Sequence, residues 1–370
     1  MGPADTEIPF LGGPEGLRTE DGRRLLMAGD ELITYREASD GWLRGCERGV
    51  YNTVPGSYPA HTLLRQPDVD DWPLFIRISQ EGGLQEEIAA RLAEIYGECG
   101  FNFVYFDGAE DVPMPYWYNV ARAQKAVYDL LRPAPIYAEG ALKSHYGWHI
   151  LSRGNAFDLF RPEQIRPAMK KYTLRCAREI ADDFTSVDFG WLDAVAPDEN
   201  TIGMQPDMYE YACSKALAWN SPVSLMGKLP ALHASPRTAD NLAVIRAWEE
   251  AKIAGTFTPA QKEMLKDPDR EWTLVEGRLC ECRPLTSDGD RDIRAFLVEK
   301  DGKACLLFWH PTGSGTLTLR LTGKVTLTDM NGKKAPYRRR ADKYTFPTGS
   351  RLLLQTDMDR EALIEAFEKR

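Results

Sequence analysis

The sequence predicts an α/β architecture: a (β/α)8-type barrel, complete or incomplete, followed by an antiparallel β-sandwich, with a small β-rich segment ahead of both. Three observations lead there. Between residues 67 and 270, nearly continuous apolar runs alternate with stretches of helical periodicity, the pattern of parallel strands covered by helices. No glycine-rich phosphate loop follows any of those runs, which favours a barrel over an open nucleotide-binding sheet. From residue 271 the texture changes to alternating runs joined by DG, NG and TG turns, as in a sandwich.

Residues 1–66 form the N-terminal segment, rich in Gly, Pro and charge. In ELITYREASDGWLRG the ASDG turn separates a run ending at Tyr35 from one starting at Trp42, so these two runs are expected to pair. The following VYNTVPGSYPAHT reads as an ordered loop. Residues 67–270 are the barrel region. PLFIRIS is short for a strand and contains Arg77. LQEEIAARLAEIYGECG places Leu84, Ile88, Leu92 and Ile95 at helical spacing, with Gly97 and Gly100 as stop signals. FNFVYFDG is a buried strand, Tyr116 to Leu131 a helix, and PIYAEGA the next strand. RPEQIRPAMKKYTLRCAREIADDF is a helix with Pro162 near its start. SVDFGWLDA, TIGMQ, the helix DMYEYACSKALAWN, PVSLMG and the long helix RTADNLAVIRAWEEAKIAG complete the region. Five or six barrel strands can be recognised where eight are needed. Either the N-terminal segment supplies the others, or the chain lacks the first part of a larger barrel and exposes a sheet edge.

Residues 271–370 form the sandwich domain. WTLVEGRLCECRPL, IRAFLVEKDGKACLLFWH, GTLTLRLTG, KVTLTDMNGKKAPYRR and YTFPTGSRLLLQT supply its strands, with EKDGKA and DMNGKK as hairpin signals and DREALIEAFEKR as a closing helix.

Bulk composition excludes several functions. A net charge of -9 over 370 residues, with 43% hydrophobic and 27% charged, describes a globular chain with a sizeable core and no general basic character for nucleic acid. The basic cluster Arg338-Arg339-Arg340 reads as a solvated hairpin. No apolar run reaches the ~20 residues of a membrane span. The seven cysteines are dispersed, and the CEC of Cys280 and Cys282 is no zinc clip, so free thiols are expected. The start MGPADTEIPF lacks a signal peptide's basic and apolar regions, which makes the chain cytoplasmic as read, and exported if it belongs to a longer precursor. No cofactor motif is present, and nothing in the sequence sets the oligomeric state.

Two strands end alike, on a carboxylate followed by glycine: Asp107 in YFDG and Glu139 in YAEG. In an α/β barrel, function gathers where strands end and βα loops begin. Neighbouring strands lie about 4.8 Å apart, so the two carboxyls fall within roughly 5 to 9 Å, an interval spanning both glycosidase arrangements. Asp188, ending SVD, is a third candidate. Around these acids stand Tyr116, Trp117 and Tyr118, then Lys143, His145, Tyr146, Trp148, His149 and Arg153, and later Trp191 and Gln205. Aromatic faces stack on sugar C–H faces, while His, Lys, Arg and amides address hydroxyls or an anionic substituent. A carbohydrate is therefore the expected partner, with neither nucleic acid nor membrane. A lone acid at a strand end commonly caps a helix or accepts loop hydrogen bonds, and Asp111, Asp158 and Asp207 are read that way. HYGWH lacks the glutamate of HExxH, so no metal is expected at His145 and His149. Trp219 and Trp248 read as core residues and His310 as a satisfied sandwich residue. No GxSxG elbow is present, and no cysteine ends a strand beside a histidine.

With its YFDG motif and second acidic strand end, the chain resembles (β/α)-barrel glycoside hydrolases with a C-terminal β-sandwich, nearest to the retaining α-fucosidase and α-galactosidase-like enzymes. That resemblance implies Asp107 as nucleophile and, by a weaker correspondence, Glu139 as acid/base. The hairpin ELITY…LRGCERGVYNT is similar to segments of large bacterial carbohydrate-active proteins. Two other functions fit the same residues. A polysaccharide lyase would use His145, Tyr146 or His149 as base, with Lys143 or Arg153 neutralising a uronate. A non-catalytic glycan-binding protein would depend on Trp117 or Trp148 more than on either acid.

Overall fold

The computed structural model describes the chain except residues 13, 18–23, 68, 70–77, 80, 108–114, 141–146, 148–152, 156–160 and 183–185. For 14, 116, 137, 153–155 and 186 it describes the backbone alone. Two compact units result, Met1–Ile150 and Leu151–Arg370.

The first unit opens with short antiparallel strands: β1 (Glu7–Pro9), β2 (Leu25–Ala28), β3 (Glu31–Thr34), β4 (Glu37–Ser39), β5 (Trp42–Arg44), β6 (Glu47–Arg48) and β7 (Leu64–Arg65). They form two sheets, ordered β1-β5-β4 and β6-β3-β2-β7, around Ile8, Leu26, Ile33, Tyr35 and Leu43. Asp40 and Gly41 both take positive φ. A two-residue turn of that kind joins its immediate flanks, so Trp42 pairs with Ser39 and β5 with β4. The run ending at Tyr35 pairs instead with β2 and β6, which corrects the expected partner while keeping the turn. Buried Glu31 receives Arg48 through both carboxylate oxygens, at 2.6 and 2.7 Å, and the backbone N–H groups of Gly49 and Gly56 as well.

Helix α1 (Leu84–Glu98), strand β8 (Phe103–Phe106), helix α2 (Tyr116–Tyr128) and strand β9 (Tyr137–Gly140) follow. The predicted apolar stripe of α1 is helical, yet Leu84, Ile88, Leu92 and Ile95 stay exposed while Gln85, Ala89 and Tyr96 are buried. Periodicity identifies the helix, and the element it packs on chooses the face. Here that face carries Gln85, whose Nε2 donates to Arg122 O on α2 at 3.3 Å.

In the second unit, parallel pairs join β10 (Arg153–Asn155) to β11 (Ser186–Asp188) and β12 (Leu192–Asp193) to β13 (Leu225–Met226). The predicted helix after Pro162 divides into α3 (Ile165–Lys171) and α4 (Thr173–Glu179) at Tyr172. Helices α5 (Pro206–Ala218), α6 (Leu229–Ala234), α7 (Thr238–Ile253) and α8 (Pro259–Leu265) complete the layer. Parallel strands and helices thus alternate as expected, but among the described residues they do not close into a barrel.

The sandwich strands are β14 (Glu271–Val275), β15 (Arg278–Pro284), β16 (Arg294–Lys300), β17 (Lys303–Trp309), β18 (Thr316–Arg320), β19 (Val325–Thr328), β20 (Arg338–Arg340), β21 (Lys343–Pro347) and β22 (Leu352–Thr356), before α9 (Arg360–Glu368). One sheet runs β14-β15-β16-β17-β22-β19 and the other β18-β21-β20. Asp301 and Gly302, at positive φ, turn β16 into β17 as EKDGKA predicts. DMNGKK turns the chain too, but only an isolated bridge, Thr328 to Lys334, forms there; β19 pairs with β22 and β20 with β21. The continuous apolar run CLLFW has a direct cause. Leu306 and Phe308 enter the core between the sheets, while Cys305, Leu307 and Trp309 are buried on the opposite face.

Asp207 is not a helix cap. It sits inside the first turn of α5, buried, and accepts from Arg166 Nη2 at 2.7 Å and from Arg294. Arg166 also grips Glu271 through two bonds of 2.6 and 2.7 Å. Burial alone would push the Asp207 carboxyl up; Arg294 and Arg166 outweigh it and hold the group below the ordinary carboxylate range. A depressed carboxyl contributes stability above its unfolded pKa of about 3.9 and loses it as pH falls towards the folded value. Asp207→Asn is expected to cost about 3 kcal/mol at pH 7, because it leaves two guanidiniums poorly compensated. The variant's denaturant-derived stability is expected to fall less steeply than the parent's below about pH 4.

Candidate active site

Backbone pairing in the first unit decides where the two leading acids stand. Strands β8 and β9 are parallel, with Phe103 opposite Tyr137, Tyr105 opposite Glu139 and Phe106 opposite Gly140. Apolar β8 pairs from its first residue because Ile136 N–H donates to Asn102 O at 2.8 Å just before the ladder. Tyr105 and Glu139 therefore share a face, and alternation carried one residue past β8 puts Asp107 on that face as well. Strand spacing and two residues of rise together put the Asp107 and Glu139 Cα atoms about 8 Å apart. Their surroundings differ: Asp107 is exposed, whereas Glu139 is 3% exposed.

Pro115 leads into α2, whose first turn presents aromatic rings. Trp117 is 54% exposed and packs edge-on against exposed Tyr118, with ring centroids 5.8 Å apart. Of Tyr116 the backbone alone is described. Lys143, His145, Tyr146, Trp148 and His149 lie outside the described residues, and so do Asp111 and Asp158.

Asp188 belongs to the second unit. It ends β11 opposite Asn155, two residues beyond the register position of Arg153, whose backbone alone is described. Its carboxylate is wholly buried: Oδ2 accepts from Ser224 Oγ at 2.5 Å, and Oδ1 has no hydrogen-bond partner among the described residues. The missing side chain of Gly190 permits this approach, since a Cβ there would stand 1.9 Å from Ser224 Oγ. Ser224 was not legible from PVSLMG, because a parallel register leaves no mark in either strand's own sequence. Trp191 is half-buried next to this turn. Gln205 is fully buried and fully used: Nε2 donates to Ile202 O at 2.7 Å, and Oε1 accepts from Trp309 Nε1 at 3.0 Å.

All seven cysteines are free thiols. Burial pushes Cys46 and Cys305 up to about 11 and raises Cys280 and Cys282 too, which suits core residues and not nucleophiles. Among the described residues no group of His, Cys, Asp and Glu could hold a metal ion, and no helix is long and apolar enough to cross a membrane. Trp248 is buried, its Nε1 donating to Glu210, and His310 Nδ1 accepts from Thr312 N–H at 3.2 Å.

No protein-family model and no curated protein matches the chain. Solved structures similar to it include glycoside hydrolases. An Anoxybacillus α-amylase, presented as a new glycosyl hydrolase subclass, shares 10% identity over 76% of this chain and 65% of its own, with a TM-score of 0.30. An α-amylase from H. orenii shares 11% over 91% and 74%, with a TM-score of 0.33. A family 39 glycoside hydrolase from Bacteroides cellulosilyticus shares 10% over 77% and 64%, with a TM-score of 0.31. The chain thus spans about two thirds of the length of the first of these structures. Likeness at this level carries no argument about the reaction.

Gln205→Ala is expected to lower unfolding free energy by about 1–3 kcal/mol, because the buried Trp309 N–H loses its acceptor. Denaturant titration followed by tryptophan fluorescence reads this directly, and an unchanged midpoint would remove the assigned role.

Proposed function

We propose that the chain hydrolyses an O-glycosidic bond, with Asp107 and Glu139 as its two working carboxylates. One observation supports this above the others: the parallel β8–β9 register puts a residue of each type on one face at one end of adjacent strands. Glycoside hydrolysis asks for such a pair, separated by about 5 to 5.5 Å when the configuration is retained and about 6.5 to 9.5 Å when it is inverted. A Cα separation of about 8 Å accommodates either, depending on how the side chains lean.

The division of labour follows from exposure. Asp107 faces water and is assigned the nucleophile's or base's part, in keeping with the resemblance of YFDG to the retaining α-fucosidase and α-galactosidase-like pattern. Glu139 lies out of water and is assigned the acid that protonates the leaving oxygen. Unequal environments are what let two like groups take opposite roles. Trp117 and Tyr118 offer faces on which a sugar ring can stack. Asp188 ends its own parallel strand in the same manner and is a third candidate acid. The parallel strands and helices are proposed to belong to a barrel.

Turnover of aryl glycosides and of neutral and acidic polysaccharides tests the assignment. Asp107→Asn and Glu139→Gln are each expected to reduce kcat by at least about a hundredfold, with the fold intact by circular dichroism. Full activity in either variant would end that residue's assignment. The exposed Trp117–Tyr118 pair favours a second reading, glycan binding without turnover. In that case Trp117→Ala would weaken binding while neither acid variant changed it.

A further inference from the structure

The small sheet of the sandwich carries an arrangement that neither folding nor the proposed hydrolysis calls for. Arg340 on β20 pairs with Lys343 on β21, and Lys343 pairs with Arg320 on β18. Three cations therefore stand in one row across three adjacent strands, each about 4.8 Å from the next along the sheet. The neighbouring row on the same face is Arg338, Thr345 and Thr318, with the two threonine hydroxyls 3.1 Å apart. Between these rows Arg339, Tyr344 and Leu319 belong to the opposite face, where Tyr344 and Leu319 are buried.

Like charges directly opposite one another destabilise a sheet. Arginines on β20 can be understood as protection of an exposed edge. Lys343 cannot, because β21 is the central strand. Arg320 is balanced by Asp342 at 2.9 Å, whereas among the described residues Arg338, Arg340 and Lys343 make no ion pair. The positive surface continues past β18. Arg320, Lys343, Lys369 and Arg370 line a groove of about 540 Å³, in which Lys369 pairs with Glu365.

We propose that this face binds an anionic polysaccharide, its carboxylates or sulfates lying over the Arg340–Lys343–Arg320 row. Flanking Thr318 and Thr345 hydroxyls are placed to bond sugar hydroxyls. Single-stranded nucleic acid is the less suitable polyanion: the strand residues of this face are Arg, Lys, Thr and Pro, with no aromatic platform for bases to stack on. The site belongs to the second unit and Asp107 and Glu139 to the first, and its test reads binding without turnover. Its failure would leave their assignment untouched.

The experiment titrates the full chain with heparin, polygalacturonate, oligo(dT) and dextran over a series of NaCl concentrations. Binding is expected to heparin, polygalacturonate or both, and not to dextran; the preferred polymer identifies sulfate or carboxylate as the recognised group. Combined Arg320→Gln, Arg340→Gln and Lys343→Gln is expected to weaken that binding more than about tenfold and to flatten its salt dependence. Arg175→Gln, at an exposed cation on α4, should change neither. Because all three substituted side chains are exposed and like charges oppose one another in the row, the unfolding midpoint should not fall. The proposal is overturned if neither acidic polymer binds, if the triple variant binds as tightly as the parent, or if oligo(dT) binds more tightly than both polysaccharides.

Discussion

Helix α5 can be buried along its whole length only because its two carboxylates are neutralised from the sandwich. Asp207 and Glu210 stand three apart and so share one face of the helix. Asp207 meets Arg294 from β16 and Arg166 from α3; Glu210 meets Arg351 at 2.9 Å, Thr273 from β14 at 2.8 Å and the indole of Trp248 from α7. An unpaired buried charge costs several kcal/mol, so sliding the sandwich relative to α5 would expose two such costs at once. Lys215, further along the helix, donates to Asp267 O and Arg270 O at 2.6 and 2.8 Å and fixes the chain where it enters β14. Burial lowers its pKa to about 8. The helical layer and the sandwich act as one body through polar contacts as much as through the shared packing of Trp248, Trp272 and Leu274.

This anchoring uses up the large sheet. With one face under the β18-β21-β20 sheet and the other carrying its own apolar cluster, its central strands have no surface left for recognition. What remains available in the sandwich is the outside of the small sheet, where among the described residues Arg338, Arg340 and Lys343 make no ion pair.

How much of this could be read beforehand depended on how local the cause was. Asp301–Gly302 and Asp40–Gly41 announce their turns because positive φ is a property of two residues. The helices from Leu84, Tyr116, Pro206 and Thr238 are visible in apolar spacing, and the β8–β9 neighbourhood follows from strand-helix-strand order. Non-local facts were hidden. Nothing around Asp207 names Arg294, 87 residues on, and a capping role was the reasonable inference from an acid after Pro206. Gln205 looks like a polar residue at a strand end, yet its amide is spent on a backbone carbonyl and on Trp309. The stripe of α1 shows the same limit, since amphipathicity cannot say which neighbour a helix will have.

Net charge, too, is silent about register. The excess of 55 acidic over 46 basic residues describes the chain as a whole, and the triple arginine, read as a solvated hairpin, does lie exposed on β20 paired with β21. Field, however, is local: at physiological salt charges are screened beyond about 8 Å, so acids elsewhere on the surface hardly reach the small sheet. What a polyanion meets there is set by the cross-strand neighbours of Arg340, and these are Lys343 and then Arg320. Register, which no count of residues contains, turns three scattered cations into a single row.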